Sequence, residues 1–459
     1  MNVIMKFGGT SVADAEAIGR VIEIIRGHIT RYPAHRVPVV VVSAMSKVTD
    51  RLVEIGRLIQ DGDGNKALSI VAELHARHEA AASALVSGDA LRVLLTQITD
   101  DFTSLRANVE RWMSTSEVTP AATDTLLSTG ELVNSRIVAA AFTARGVRSA
   151  WVDARRVLVT DREFTAAAPD TERTTERARA LVAPVVDAGD VPVLGGFIGA
   201  TVDGEPTTLG RGGSDYSAAI FGACLDVDEI QIWTDVDGML TADPRVVAEP
   251  YLVPQLSFAE ASELAYFGAK VLHPSTILPA VAKNIPVRIL NSRRPEVKGT
   301  MITADGRPHA GLTALACKRG LTVVDITSTR MLMAHGFLRR LFEVFERFKT
   351  PVDVVTTSEV SVSVTVDNPK RLDEIISNLW TFADVNVERE MAIVCVVGEN
   401  LRSEPRLFAR AVTALGDVPL RLVSQAASRR NITFVLRDAD VTRAMNLLHG
   451  ELFTAAVAS

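Results

Sequence analysis

Over residues 1–295 the apolar positions fall into two alternating patterns. Residues 3–7 are a short run with little polar interruption, and residues 12–26 then place apolar side chains at every third or fourth position, the period of an amphipathic helix. Residues 37–42 are almost all valine with no polar alternation, which suits a strand covered on both faces of a parallel sheet. Helical spacing returns over 50–113 and 124–145, and helices are also predicted at 174–187 and 215–224. Strand candidates lie at 149–152, 191–197, 229–234 and 287–290. Strands alternating with helices predict an α/β fold, a mainly parallel sheet sandwiched by helices.

The pattern changes past Pro295. Glu296-Val297-Lys298-Gly299 and Asp305-Gly306-Arg307-Pro308 are rich in turn formers, so a first domain is expected over 1–295 with the junction just after it. A repeat follows. Strand 321–328, helix 336–348, strands 352–357 and 360–367 and helix 370–379 make one copy. Strand 392–397, helix 404–415, strands 419–424 and 431–436 and helix 441–449 make the other. Two successive β-α-β-β-α units predict a pair of small ferredoxin-like sandwiches, expected over 311–384 and 385–459.

Composition narrows the class. A chain of 459 residues is too long for one ordinary core, and 47% hydrophobic with 23% charged residues is the profile of a well-folded soluble protein. A net charge of −6 excludes a broad nucleic-acid surface, which needs a basic footprint. Cys224, Cys317 and Cys395 are far apart in apolar stretches, with neither metal-ligand spacing nor the even count of a disulfide framework. Reduced thiols fit a cytoplasmic protein. No run of about 18 apolar residues appears, so no membrane partner is expected.

Two glycine-rich segments carry the candidate chemistry. Lys6-Phe7-Gly8-Gly9-Thr10-Ser11 follows the first strand, where glycines admit a ligand to the backbone and a helix start suits phosphate. A tight turn with a lysine at its edge explains the same residues equally well. It is not the common P-loop, because G-x-x-x-x-G-K-[ST] is absent. In Thr207–Asp215, Ser214 or Asp215 is expected to cap the next helix. Capping does not explain Arg211 among three glycines, a placement that favours recognition of a carboxylate by the guanidinium fork. Taken alone, Glu131 of Ser128-Thr129-Gly130-Glu131 reads as a solvated acid at a helix start. Thr234-Asp235-Val236-Asp237-Gly238 closes a strand and leads to Asp243-Pro244-Arg245, a position suited to nucleotide or metal contacts. His273, before a proline, reads as structural, and no His/Cys/Asp cluster has zinc spacing.

Together these segments resemble the aspartate kinases of the amino-acid kinase family. The resemblance is carried by KFGGTS at 6–11, VVVVSAMSKVTD at 39–50, STGEL at 128–132, GGFIGA at 195–200, TTLGRGGSDYSAA at 207–219, WTDVDGMLTADPR at 233–245 and ELAYFGAKVLHP at 263–274. The C-terminal repeat, with GFLRRLFEVF at 336–345 and VDVVTTSEVSVSVTVD at 352–367, is similar to the family's paired ACT domains. In that family a strand matching 311–317 completes the second unit.

The resemblance implies that Lys6, Gly8 and Gly9 meet the phosphates of ATP and that Mg²⁺ arrives with the nucleotide. It implies that Thr49, Glu131, Arg211, Gly212, Gly213 and Ser214 hold the amino acid, while Thr234, Asp235, Arg245, Lys270 and Val271 serve the nucleotide. Asp215 is expected beside the transferring group, so Lys6, Asp215 and Lys270 form the catalytic set. The activity implied is phosphorylation of the β-carboxylate of L-aspartate to 4-phospho-L-aspartate, the first step toward lysine, threonine and methionine, with feedback through the ACT domains. Met331, Gly336, Phe337, Leu338, Asp353 and Ser358 match positions that bind lysine in lysine-inhibited relatives, so L-lysine is the first expected effector and L-threonine the second. Paired ACT units imply a homodimer or higher oligomer. One departure is Leu240, where several relatives have a tyrosine near the nucleotide. Two rival readings are an amino-acid kinase acting on a different carboxylate and a catalytically silent amino-acid sensor; retention of Lys6, Asp215 and Lys270 argues against the second.

Overall fold

Every residue of Val3–Phe7 is buried because this strand lies inside an eight-stranded sheet. The structure, a computed structural model, describes residues 2–33, 37–268, 274–305, 311–328, 331, 335–425 and 428–453. It divides into two units: Met1–Met239 with Pro254–Phe258 and Val271–Gly306, and Leu240–Val253 with Ala259–Lys270 and Arg307–Ser459.

Strands in the first unit are β1 (Val3–Phe7), β2 (Val39–Val42), β3 (Ser149–Trp151), β4 (Val191–Gly195), β5 (Ile198–Ala200), β6 (Pro206–Thr208), β7 (Glu229–Thr234), β8 (Gln255–Ser257), β9 (Val287–Asn291) and β10 (Thr300–Thr303). The first helices are α1 (Ala15–Arg31), α2 (Val48–Gln60), α3 (Gly64–Leu85), α4 (Gly88–Thr115) and α5 (Pro120–Ala144). They are followed by α6 (Thr171–Leu181), α7 (Ala183–Asp187), α8 (Gly213–Cys224), α9 (Phe258–Tyr266) and α10 (Leu278–Ala282).

The large sheet has the order β3-β4-β2-β1-β7-β9-β10-β8, and its six strands from β3 to β9 are mutually parallel. β10 turns back antiparallel to β9. The α/β fold read from the sequence is therefore present. Val3, Met5 and Phe7 join the core formed with α1 to α5; strand alternation sends Ile4 and Lys6 to the opposite face.

Three local readings change. Helix α1 begins at Ala15 rather than near 12, because Asp14 caps it by accepting from the Ala17 amide at 2.9 Å. Gly9–Val12 forms a separate 3-10 turn. The helical stretch over 50–113 is three helices, with left-handed Gly62 and Gly88 at the two breaks.

In the second unit the strands are β11 (Leu312–Thr327), β12 (Val355–Thr357), β13 (Ser361–Val366), β14 (Asp384–Gly398), β15 (Leu420–Ser424) and β16 (Asn431–Arg437). Its later helices are α11 (Phe337–Arg347), α12 (Leu372–Leu379), α13 (Pro405–Leu415) and α14 (Val441–Phe453). They build one antiparallel sheet of order β12-β13-β11-β14-β16-β15. The two strands expected at 311–317 and 321–328 are halves of β11, joined through an irregularity between Lys318 and Leu321 where Gly320 has φ 72°. The half before the irregularity pairs with Ile393–Gly398 and the half after it with Asp384–Met391 and with β13. One apolar core lies under α11 and α12, and another lies under α13 and α14, where Ala242 and Val247 join it.

Candidate active site

Strands that run parallel deliver the loops after them to one edge of the sheet, and in α/β folds ligands bind at that carboxyl edge. The backbone stitches those loops together. Gly8 N donates to Trp233 O at 3.0 Å, Ser43 N to Phe7 O at 3.1 Å, Ser46 N to Gly9 O at 3.1 Å and Gly196 N to Val42 O at 2.8 Å. A cavity of about 840 Å³ opens there.

Most sequence-nominated residues meet in this cavity. Lys6, Gly8, Gly9, Thr49, Glu131 and Asp215 line it. So do Arg211, Gly212, Gly213, Ser214, Thr234 and Asp235. Lys6 leaves the end of β1 toward α8, and its Nζ lies 2.6 Å from Asp215 Oδ1, with both side chains largely buried. Asp215 is therefore not a helix cap. Gly212 occupies that position in a left-handed conformation with no side-chain cap, which leaves the Asp215 carboxylate in the first turn for Lys6. The helix start itself favours the negative charge. Arg211 is exposed at the cavity wall and forms no ion pair or hydrogen bond among the described residues.

Glu131 also departs from its simple reading. It lies within α5, 4% exposed, rather than solvated at a helix start. Gly130 brings it there: a Cβ on Gly130 would stand 2.9 Å from the Ala44 Cβ, so only glycine lets α5 pack this close. Burial pushes the Glu131 carboxyl up to about 8, against the pull of the Ala44 amide, its own amide and the charge of Lys6. Its Oε2 has no hydrogen-bond partner among the described residues.

Several contributors were not singled out from the sequence. Lys47 lines the cavity at φ 65°, a left-handed conformation that a non-glycine residue adopts only under constraint. Buried Asp124 accepts from Thr208 Oγ1 at 2.5 Å, Thr208 N at 3.0 Å and Thr165 N at 2.9 Å, positioning two segments of the cavity wall. Asn134 donates to Ser43 O at 2.7 Å and fixes the loop after β2. Lys47 stands within VVVVSAMSKVTD, where it was visible; nothing local marked Asp124, which acts 84 residues away.

The remaining nominated residues belong to the second unit or lie outside the described residues. Arg245 belongs to the second unit, where Asp243 takes its guanidinium at 2.6 and 3.0 Å. Leu240, also in that unit, bridges to Leu252. Lys270, Val271 and His273 lie outside the described residues.

Of the effector positions, Gly336 adopts φ 83° and starts α11, Phe337 packs edge-on to Phe382 at 5.8 Å, and Leu338 is exposed. Ser358 Oγ is 2.7 Å from Ser361 Oγ, and Met331 packs against the core beneath α11. Asp353 is buried by its neighbours, its side chain 5% exposed.

Residues 1–291 match the model of the amino acid kinase family and residues 394–452 that of the ACT domain. The chain belongs to the amino acid kinase family. Its place within that family follows from full-length relatives, the aspartokinases. The lysine-sensitive aspartokinase 3 of Escherichia coli is 34% identical, over 98% of this chain and 99% of that one. Chloroplastic aspartokinase 3 of Arabidopsis thaliana is 36% identical, over 99% of this chain and 82% of that one. The crystal structure of E. coli aspartokinase III with aspartate and ADP superposes with a TM-score of 0.82 at 33% identity, covering 99% of this chain and all of that one. The lysine and aspartate complex of the same enzyme gives 0.81 at 32% identity, covering 98% and 99%.

The raised Glu131 carboxyl has a consequence for stability. Its folded value lies above its ordinary 4.5, so the native state holds the proton more tightly than the unfolded one. Stability from this group is full below that ordinary value and is lost as pH rises toward about 8. Urea denaturation at a series of pH values is expected to show the wild type losing stability across this window relative to Glu131→Gln, by on the order of a few kcal/mol. Parallel curves for the two proteins would mean that Glu131 ionises normally.

Proposed function

We propose that this chain transfers the γ-phosphoryl group of ATP to the β-carboxylate of L-aspartate, and that Lys6, Arg211 and Glu131 divide the charges of the two reactants. The observation that carries this reading is the convergence of a buried lysine, an exposed arginine and a buried acid on one cavity at the carboxyl edge of a parallel sheet. The acceptor carboxylate has a reference pKa near about 3.9, so it is ionised at neutral pH and no general base is required. The difficulty is electrostatic, since an anion must approach a polyanion. Positioning and charge neutralisation therefore carry the rate.

Arg211 takes the α-carboxylate as a fork and Glu131 the α-ammonium, leaving the β-carboxylate directed at the phosphate. Thr49, Gly212, Gly213 and Ser214 close around the amino acid. Glu131 must ionise to accept the ammonium, so aspartate binding expels a proton from a carboxyl that burial keeps protonated near neutral pH. Lys6 contacts the transferring phosphoryl group, with Gly8 and Gly9 offering close backbone approach. Asp215 orients Lys6. Thr234 and Asp235, together with Arg245, Lys270 and Val271, serve the nucleotide. Mg²⁺ carried on the ATP phosphates would stand beside exposed Asp235. Bound there, the ion would supply charge neutralisation.

The product is placed at the head of the route to lysine, threonine and methionine. The second unit senses a product amino acid at Met331, Gly336, Phe337, Leu338, Asp353 and Ser358. Lysine is favoured and threonine second; the lysine complex of E. coli aspartokinase III supports this order. The helix start at Gly336 suits a carboxylate and Asp353 an ammonium. Sensing operates in a homodimer or higher oligomer joined through the ACT units. Exposed Val355 and Val423 on the two outermost strands of the antiparallel sheet support pairing there. The expected divisions are a catalytic domain over 1–295 and ACT domains over 311–384 and 385–459. No helix among the described residues is long and apolar enough to cross a membrane.

Incubation with ATP, Mg²⁺ and aspartate is expected to release ADP and yield an acyl phosphate trapped by hydroxylamine. A different acceptor outpacing aspartate across a carboxylate panel would replace the substrate assignment. Lys6→Met is expected to lower kcat by at least about 100-fold with the fold intact, by analogy with losing one oxyanion donor; near-normal turnover would remove Lys6 from the chemistry. Lysine is expected to inhibit more strongly than threonine, and indifference to both would end the sensor assignment.

A further inference from the structure

The carboxylate assigned above to an effector's ammonium is already engaged. Asp353 Oδ2 lies 2.9 Å from Lys318 Nζ, and Asp353 Oδ1 accepts from the Tyr266 hydroxyl at 2.8 Å. Lys318 Nζ also lies 2.9 Å from Asp367 Oδ2 and 5.4 Å from the centre of the Tyr266 ring. Two carboxylates and an aromatic face thus surround a primary ammonium, a socket of the kind that recognises alkylammonium groups. Its occupant is supplied by the chain itself. Burial and the bond to Asp353 hold the Tyr266 hydroxyl above its usual range, so it remains a donor at neutral pH.

The socket joins separate parts of the second unit. Lys318 stands at the irregularity of β11, Asp353 precedes β12, Asp367 follows β13, and Tyr266 ends α9. Two residues beyond Tyr266, Gly268 has φ 113°, and a Cβ there would stand 2.3 Å from the Cys317 carbonyl oxygen. The end of α9 is therefore pressed against the backbone just before Lys318. Lys270, assigned above to the nucleotide, follows Tyr266 by four positions in the chain.

We infer that Lys318 is an internal competitor for the effector site: an incoming primary ammonium displaces it from Asp353, Lys318 withdraws onto Asp367, and Tyr266 loses its anchor. This rests on the effector reading above and adds to it a selectivity rule and a route of coupling. Asp353 has both oxygens engaged, so exchange rather than simple addition is required. An exchange at Asp353 favours a ligand with a second ammonium besides its α-ammonium, which lysine carries on its side chain, whereas threonine has its α-ammonium alone. The signal then passes to the segment that begins at Tyr266. A ligand shifts such an equilibrium only by its differential affinity for the two arrangements, and an internal competitor sets that difference.

The test uses the full chain with Lys318→Met, Lys318→Arg and Tyr266→Phe. Each is measured for lysine binding by calorimetry and for lysine inhibition of aspartate-dependent ADP release. Lys318→Met is expected to bind lysine at least about fivefold more tightly, within the usual range of coupling between linked events, and Lys318→Arg to stay near the wild type. Activity without lysine is expected to stay near the wild type in Lys318→Arg, which keeps a cation between Asp353 and Asp367. Tyr266→Phe is expected to keep lysine binding but to lower the maximal inhibition. Binding by Lys318→Met alone, with none by the wild type, also supports the exchange. Wild-type binding with unchanged or weaker binding by a cooperatively melting Lys318→Met overturns the exchange while the effector reading stands. No binding by any of the proteins overturns both.

Discussion

The site depends on one ion pair, Lys6 with Asp215. Lys6 is the next-to-last residue of the strand that lies between β2 and β7, and Asp215 occupies the first turn of α8, 209 residues later in the chain. A lysine with 10% of its side chain exposed needs a counter-charge, and a carboxylate at 16% needs one as well. Each satisfies the other only if the glycine-rich turn before α8 folds against the loop after β1. That requirement holds the Arg211 segment beside the cavity. Buried pairs of this kind add little net stability and make the loss of one partner expensive, so their usefulness is geometric.

Glu131 follows from the same economy of burial. A glycine at 130 brings α5 against Ala44, and the acid next to it is thereby denied water. That burial pushes its carboxyl up to about 8. Arg211 shows the opposite choice, an exposed cation at the wall of the same cavity. The second unit uses a related device, in which an acid buried at Asp353 is neutralised by a lysine of its own chain.

The parallel sheet was legible in the sequence because its strands are unbroken valine-rich runs between helices of clear period, as at Val39–Val42 and α1. Helix ends were not, since they turn on single caps such as Asp14 and on left-handed glycines such as Gly62 and Gly88. The joined strand β11 escaped for a related reason: the sequence reads as separate strands at 311–317 and 321–328, whereas the structure carries Lys318-Arg319-Gly320 as an irregularity within one strand. Arg211 was legible from its setting among glycines. Glu131 looked like a surface acid because its burial depends on residue 130 having no side chain and on a helix packing that no local pattern encodes. Asp215 looked like a cap because its partner is Lys6, 209 residues earlier in the chain.

If the Lys6–Asp215 pair is the unit that handles the phosphoryl group, the two residues cannot contribute independently. The most direct measurement is a double-mutant cycle on kcat with Lys6→Met, Asp215→Asn and the combined variant, each shown to fold by its melting transition. The account predicts that the combined variant turns over about as slowly as Lys6→Met alone, because Asp215 acts only through the ammonium it holds. Full additivity of the two losses would contradict it.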